Sequence, residues 1–216
     1  MNQTGLLEIL KRFNMKRNKS ADQTKWTLDS AHSEINFKVK HLMISSVKGK
    51  FTTFDASIYT FGKDFNTAEV DLWIDTSSLS TGDAKRDEHV TGADFFDVVK
   101  HKQITFASST MGKAGKDGIS ELWGELTMVG ITKNIKLDVS FGGMVKDPWG
   151  NEKAGFAITG TFNRKDWELE WNSALEAGGV MIGDEITISA DIELINSGKR
   201  DLTMELEPSD TRKDLF

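Results

Sequence analysis

The sequence predicts an all-β protein built as an antiparallel barrel of about eight strands. Apolar and polar residues alternate with a period of two along most of the chain, and short turn sequences join the alternating blocks. Consecutive strands with short links pair antiparallel, and closing the sheet hides its edges and its apolar face. A two-sheet sandwich is the alternative, but alternating segments of roughly ten residues favour the barrel.

The first half of the chain contains three alternating blocks. The first starts at Trp26 and has its apolar side at Ile35, Phe37 and Val39. In the second block, residues 47–61, the apolar positions change parity between Phe51 and Phe54, which predicts a β-bulge. The third block follows the turn Gly62-Lys63-Asp64 and has its apolar side at Ala68, Val70, Leu72 and Ile74.

The alternation stops between residues 79 and 106, where a short, highly charged helix is predicted over about residues 84–90 with Asp83 as its N-cap. Arg86, Asp87 and His89 lie on this helix and could supply a general acid–base group. The structural alternative is that Arg86 and Asp87 pin the helix to the rim of the barrel. The four histidines have no metal-site spacing, and no nucleophile motif is present, so neither a catalytic nor a metal-binding residue is predicted.

The second half contains five further blocks. A tight hairpin is predicted at residues 129–132, and Asp147-Pro148-Trp149-Gly150-Asn151 is a strong turn signal. The apolar sides of the blocks begin with Ile104 and Phe106, continue with Leu122, Gly124, Leu126 and Met128, then with Ile135, Leu137 and Val139, then with Phe156, Ile158, Gly160 and Phe162, and end with Ile186, Ile188, Ala190, Ile192 and Leu194.

The composition suits one soluble domain. The chain has 216 residues, 38% of them hydrophobic and 28% charged, and no cysteine, which excludes disulfides and thiolate chemistry. The net charge is −6, so a nucleic-acid-binding surface is not expected. Because neither a membrane span nor a secretory signal is recognisable, the sequence predicts a cytoplasmic protein. The predicted divisions are an extension at 1–24, the barrel at 25–196 and a loosely ordered tail at 197–216.

The N-terminal extension is basic and amphipathic. Leu6, Ile9, Leu10 and Phe13 share one face of a predicted short helix, and lysines and arginines follow closely, up to Lys19. Residues 6–19 could touch an anionic membrane surface transiently, or could pack on the barrel or on a partner subunit.

The inward apolar face is the most informative functional feature. Gly124 and Gly160 fall where a side chain would otherwise project inward, which predicts either room for an apolar ligand or a close approach or bend of the strands. Polar residues near an opening would meet a head group. The predicted ligand-binding residues are Phe37, Val39, His41, Phe51, Leu72, Arg86, His89, Phe106, Gly124, Leu126, Phe156, Ile158, Gly160 and Ile188.

Several motifs, in order, resemble the YceI-like family of lipid-binding barrels. They include WTLDSAHSEINFKVKHL, LSTGDAKRDEHVTGADFFDV, GELTMVGITKNIKLDV and GDEITISADIEL, and together the matching stretches cover residues 26–194. The resemblance implies an extended lipocalin-like, eight-stranded barrel with a helix covering part of it. It also implies a pore for a polyisoprenoid or similar amphiphile, a homodimer and no enzymatic activity, with an exported, periplasmic location as the alternative to the cytoplasm.

The family's motif positions fall here on His32, His41, Gly49, Phe51, Arg86, Asp87, His89, Phe95 and Phe96. The chain departs from the family pattern at residues 164–168, Arg-Lys-Asp-Trp-Glu, where Trp and Glu replace the usual pair.

These observations predict a binding or carrier protein for a long-chain isoprenoid, quinone-like or fatty amphiphile, with no other cofactor. Two rival functions are a lipid-modifying or isomerising enzyme that uses His41, Arg86 and His89, and an interaction module that recruits a protein or a membrane through the N-terminal helix.

Overall fold

The computed structural model describes residues 23–174 and 180–200. It contains one α-helix, α1, at Ala84–Thr91, and short 3-10 helices at Thr76–Ser78 and Arg164–Trp167 within this part of the chain. The eleven strand segments are β1 Gln23–Leu28, β2 Glu34–His41, β3 Ser45–Phe51, β4 Phe54–Phe61, β5 Asp64–Asp75, β6 Leu79–Ser80, β7 Gln103–Met111, β8 Ile119–Met128, β9 Ile131–Lys146, β10 Glu152–Asn163 and β11 Ile182–Lys199.

The strands close into an eight-stranded antiparallel barrel, as predicted. The ring runs β1-β4-β5-β7-β8-β9-β10-β11 and returns to β1. The long strand β11 makes this closure possible because one of its edges pairs with two strands in succession. Its first part pairs with β2, from Ile182 opposite His41 to Asp191 opposite Glu34. Its last part pairs with β1, from Leu194 opposite Leu28 to Lys199 opposite Thr24.

The parity change between Phe51 and Phe54 is a strand break, so the predicted bulge is wrong. Strand β3 ends at Phe51 and β4 begins at Phe54, and the two segments have different neighbours: β3 pairs with β2 and β6, whereas β4 pairs with β1 and β5. Similar interruptions separate β1 from β2 and β5 from β6. The sheet therefore turns a corner by interrupting three strands, and β2, β3 and β6 extend the ring at one end.

Helix α1 lies against this extension. The Asp83 carboxylate accepts a hydrogen bond from the Arg86 backbone N–H at 3.0 Å and caps the helix. Thr81 joins the helix to β6, because its backbone N–H donates to Asp87 Oδ1 at 2.8 Å and its hydroxyl accepts from Arg86 Nε at 2.7 Å. Arg86 and Asp87 thus pin the helix, as the structural alternative predicted. Within the two described ranges, no helix is long and apolar enough to cross a membrane.

An aromatic cluster packs the opposite end of the barrel. Trp26 is fully buried, and its indole N–H donates to Thr60 Oγ1 at 2.9 Å. The ring of Phe65 lies 4.8 Å from those of Trp26 and Phe156 and 5.8 Å from that of Phe141. Buried hydrogen bonding and aromatic packing together stabilise this end of the fold.

The barrel exceeds the predicted domain limits, since β1 begins at Gln23 and β11 continues to Lys199. The amphipathic stretch 6–19 and residues 201–216 of the predicted tail lie outside the described residues.

A partly buried ion-pair network links three parts of the chain. Lys153 Nζ donates to Asp29 Oδ2 at 2.8 Å and to Glu193 Oε1 at 2.6 Å, and the His32 ring lies 3.0 Å from Asp29. Asp29, His32 and Glu193 have ligand atoms within 4.8 Å of one another, the spacing of a metal site, but the Lys153 ammonium already binds both carboxylates. The cluster therefore acts as an ion-pair network that ties the β1–β2 link to β10 and β11.

This network predicts a pH-dependent stability. The hydrogen bond from Lys153 lowers the pKa of Asp29 to about 2. Because an unfolded Asp titrates near pH ~4, the contribution is present above that pH and is lost as the pH falls towards 2. We expect Asp29→Asn to lower the free energy of unfolding by about 1 kcal/mol at pH 7, measured by urea denaturation, since the pair stays partly hydrated.

The matched control is Asp71→Asn, on the exposed face of β5. It should leave stability unchanged. A deficit in Asp29→Asn that stays constant between pH 4 and pH 2 would contradict this account.

Candidate ligand-binding cavity

A cavity of about 480 Å³ lies inside the barrel. It extends from the α1 end, at His89 and Phe95, to the aromatic cluster, at Phe65 and Phe156. Aliphatic and aromatic side chains make up most of its lining. A volume of this order and an apolar lining with a few polar groups are typical of small-molecule sites.

One wall of the cavity is packed more tightly than the others. On the β7–β8 wall, the inward side chains of Ile104, Phe106 and Leu122 are each only 4% exposed, so this wall is tightly packed. On β2 and β11, by contrast, inward residues such as Phe37 and Ile188 are only partly buried although they point away from the outer surface. An interior filled by its own side chains would bury them. Most inward residues of β5, β9 and β10 are partly buried in the same way, so the open wall consists of β2, β5, β9, β10 and β11.

Twelve of the fourteen predicted ligand-binding residues border this cavity. Their inward position follows directly from the alternation along each strand. They are Phe37, Val39, His41, Phe51, Leu72, Arg86, His89, Phe106, Leu126, Phe156, Ile158 and Ile188.

The two glycines are not among the residues that line the cavity, and their surroundings support the predicted alternative of a close approach between strands. A Cβ atom on Gly124 would lie 2.4 Å from Cζ of Phe106 and 2.6 Å from the Ala107 carbonyl oxygen. A Cβ atom on Gly160 would lie 2.4 Å from Cδ2 of Leu137. Each glycine lets a side chain of the adjacent strand lie flat across the sheet. Gly49 does the same beneath the Phe37 ring.

The cavity reaches solvent between the end of β2 and helix α1. Among the residues that line it in the described ranges, only Lys40 and Lys85 are largely exposed. His41, Arg86 and His89 lie beside them. The polar lining there carries basic and neutral groups and no carboxylate within the described chain. In the same ranges, Lys40, Lys85 and Arg86 have no carboxylate oxygen within 4 Å, so their charges are not neutralised by ion pairs.

Three aromatic rings brace this opening. The His89 ring lies 4.6 Å from that of Trp171 and 5.3 Å from that of Phe95, edge to face in both cases. The rings of Phe95 and Trp171 are themselves 5.3 Å apart. The cluster joins α1 to the segment after the second 3-10 helix, so that segment forms part of the cavity wall.

Arg164 fixes the same segment from below. Its side chain is 3% exposed, donates from Nε to the Gly183 carbonyl at 3.0 Å and from Nη1 to the Leu169 carbonyl, and lies 3.4 Å from Asp184. Burial lowers the pKa of Arg164, and the Asp184 charge opposes that shift. With every polar contact directed at protein groups, Arg164 positions Leu169 and Trp171 on the cavity.

Among the residues that sequence reasoning did not place at the cavity are Lys40, Lys85, Arg164 and Trp171. Lys40 has the outward parity of β2, and Lys85 lies on a highly charged helix, so alternation assigns both to solvent. Arg164 and Trp171 belong to a polar segment without periodicity. The departure from the family pattern at residues 164–168 was the available signal that this segment shapes the cavity mouth.

A closed antiparallel barrel with an apolar cavity inside and a helix at one end defines a lipocalin-like cavity protein. The chain belongs to the YceI-like domain family, whose model matches residues 26–194.

Named relatives agree with this assignment. A UPF0312 protein of Staphylococcus aureus strain MSSA476 is 38% identical over 171 residues, 79% of this chain and 96% of the relative. The crystal structure of the Campylobacter jejuni YCEI protein is 31% identical, with a TM-score of 0.62 over 81% of this chain and 98% of that one. A polyisoprenoid binding domain from Saccharophagus degradans shares the fold at 15% identity, with a TM-score of 0.56 over 79% of this chain and 98% of that one.

The surroundings of the glycines predict that two alanine variants differ in stability. Gly124→Ala should lower the free energy of unfolding by about 1 to 3 kcal/mol, because the new methyl group meets the Phe106 ring and a backbone oxygen. Gly155→Ala is the control, since its Cβ atom would enter open space. Chemical denaturation of both variants measures the difference. Equal stability of the two would show that Phe106 moves aside freely.

Proposed function

We propose that this protein binds a long-chain isoprenoid, quinone-like or fatty amphiphile, with the apolar chain in the barrel cavity, and carries or stores it. The observation that supports the proposal is the partly buried apolar lining of the open wall, which faces an interior that the protein's own side chains do not fill.

The energetics favour a long chain over a compact ligand. Burying one methylene group stabilises a complex by about 0.8 kcal/mol, so ten of them contribute about 8 kcal/mol before the entropy of immobilisation is subtracted. Because of that entropy cost, the dissociation constant is larger than the roughly 1 μM that a net free energy of about 8 kcal/mol would give. The cavity also runs most of the barrel's length, from Phe95 to Phe65, which suits an extended molecule.

The polyisoprenoid binding domain from Saccharophagus degradans supports an isoprenoid as one ligand class, through its shared fold. No observation favours catalysis by His41, Arg86 and His89. Arg86 already donates to Thr81, and the His89 ring packs between Phe95 and Trp171. The homodimer and the cytoplasmic location stay predictions.

Blocking the cavity tests the proposal. We expect Ile158→Trp to weaken binding of a fluorescent long-chain fatty acid at least roughly tenfold, because the indole fills space beside the open wall. Thr159→Trp is the matched control, since the neighbouring side chain is exposed on the outer face of β10. Organic extraction of the wild-type protein followed by mass spectrometry identifies what it retains.

Two results would contradict the proposal. One is equal binding by the two tryptophan variants. The other is a wild-type protein that neither yields a lipid on extraction nor binds the probe.

The charge of the opening favours an acidic head group, a carboxylate or a phosphate, over a neutral one. Lys40, Lys85 and Arg86 place three cations at the mouth without an ion-pair partner in the described residues, and no acidic side chain lines the cavity there. Unpaired cations attract an anion that enters a partly desolvated site.

A pair of matched ligands tests this preference. The wild-type protein should bind palmitate more tightly than methyl palmitate. Lys40→Gln/Lys85→Gln should weaken palmitate binding roughly tenfold and leave the ester unchanged. Arg86 is unsuitable for this test because it also holds Thr81. Lys116→Gln, in the loop at the opposite end, is the control. Equal affinity for acid and ester would remove the head-group preference and leave chain binding intact.

A further inference from the structure

The hairpin between β2 and β3 ends in an exposed apolar turn. Leu42 and Met43 both have positive φ, 50° and 62°, and the Ile44 backbone N–H closes the turn on the His41 carbonyl at 3.2 Å. Met43 is 61% and Ile44 85% exposed. Turns of this kind favour asparagine and glycine, since a bulky side chain is strained at positive φ. Neither burial nor backbone preference explains an apolar tip here.

The outer face of the same hairpin is a ladder of lysines. Lys38 lies directly opposite Lys48, and Lys40 and Lys50 extend the row on either side. All four are exposed, and within residues 23–174 and 180–200 none has a carboxylate oxygen within 4 Å. Like charges directly opposite each other destabilise a strand pair. Lysines on an edge strand deter aggregation, which accounts for Lys48 and Lys50 but not for Lys38 and Lys40 on the interior strand β2.

We propose that this hairpin docks the protein on an anionic lipid bilayer. Met43 and Ile44 enter the head-group region, and the lysine ladder, Lys38, Lys40, Lys48 and Lys50, contacts lipid phosphates. Cations and a short apolar insertion act together in surface binding of this type. The chain as a whole carries a charge of −6, so an anionic membrane repels most of the molecule and orients it with this hairpin forward.

The hairpin lies beside the mouth of the cavity. Its inner face contributes Phe37, Val39 and Phe51 to the cavity, and Lys40 borders the cavity mouth. Docking therefore places the opening at the bilayer surface, where an amphiphile can pass between lipid and barrel with little exposure of its chain to water.

A bilayer fits this surface better than a protein does. The apolar contact consists of two side chains, far less than the area of roughly 1,000 Å² that a specific protein interface buries. A second copy of the chain would bring two lysine ladders together and would be repelled. Binding to an anionic bilayer, by contrast, requires only positive charge and a small apolar tip on the protein.

The test uses the full-length protein and co-sedimentation with vesicles of phosphatidylcholine alone or with one quarter phosphatidylglycerol. Wild-type protein should bind the anionic vesicles and lose binding as salt rises. Met43→Gly/Ile44→Ser and Lys38→Gln/Lys48→Gln should each bind roughly tenfold more weakly. Val145→Ser, which removes an apolar side chain that is 65% exposed at the other end of the barrel, and Lys116→Gln are the matched controls.

A stability measurement separates docking from a structural role. Met43→Gly relieves the positive φ, and the lysine pair removes a like-charge contact, so both hairpin variants should unfold at the wild-type temperature or above. They should also bind the fluorescent fatty acid normally, so a failure of docking is distinguishable from a failure of ligand binding. Because residues 1–22 are identical in every variant, any contribution of this segment to vesicle binding is the same on both sides of each comparison.

Three outcomes would overturn the proposal. They are an absence of wild-type binding to anionic vesicles, wild-type levels of binding by both hairpin variants, and a hairpin-dependent change of oligomeric state in solution with vesicle binding unaffected. The last result would identify the hairpin as a protein–protein interface.

Discussion

The backbone hydrogen bonds of β11 are the interaction on which the rest of the structure depends. Eighteen residues long, this strand pairs along one edge with β10 and along the other with β2 and then β1. A sheet closed in this way has no exposed edge around its ring, so each strand's amides are satisfied without help from the interior. Side chains inside the barrel are therefore free to leave space.

Three packed regions stabilise the barrel. Trp26 and Phe65 pack one end, the β7–β8 wall is filled by Phe106 and its neighbours, and Lys153 ties the β1–β2 link to β10 and β11. Glycines contribute to this packing. At Gly124 and Gly49 a ring from the next strand lies over the backbone, which thickens the wall at those points.

Alternation along the strands carried most of the information about this site. It assigns a face to every residue of a strand, which is why inward positions as distant in sequence as Phe37, Phe106 and Ile188 were predicted together and lie around one cavity. It carries no information about cross-strand register, so the side chain that covers Gly124 could not be predicted. It also cannot show where a strand changes partners, and the break after Phe51 was therefore read as a bulge. Trp171 reaches the cavity through ring contacts with His89 and Phe95, a tertiary effect without a periodic signal.

The extension formed by β2, β3 and β6 has a consequence for dynamics. Strand β3 is held by β2 on one side, and on the other side β6 pairs with it only at Lys50 and Phe51. The eight-stranded ring closes through β1 without using this extension. Strand β3 can thus separate from β6 with the loss of few hydrogen bonds, and the ring stays intact. Amide protons of Ser45 to Gly49 should exchange with solvent far faster than those of β8 and β9. The mouth of the barrel can therefore open locally while the rest of the barrel stays closed.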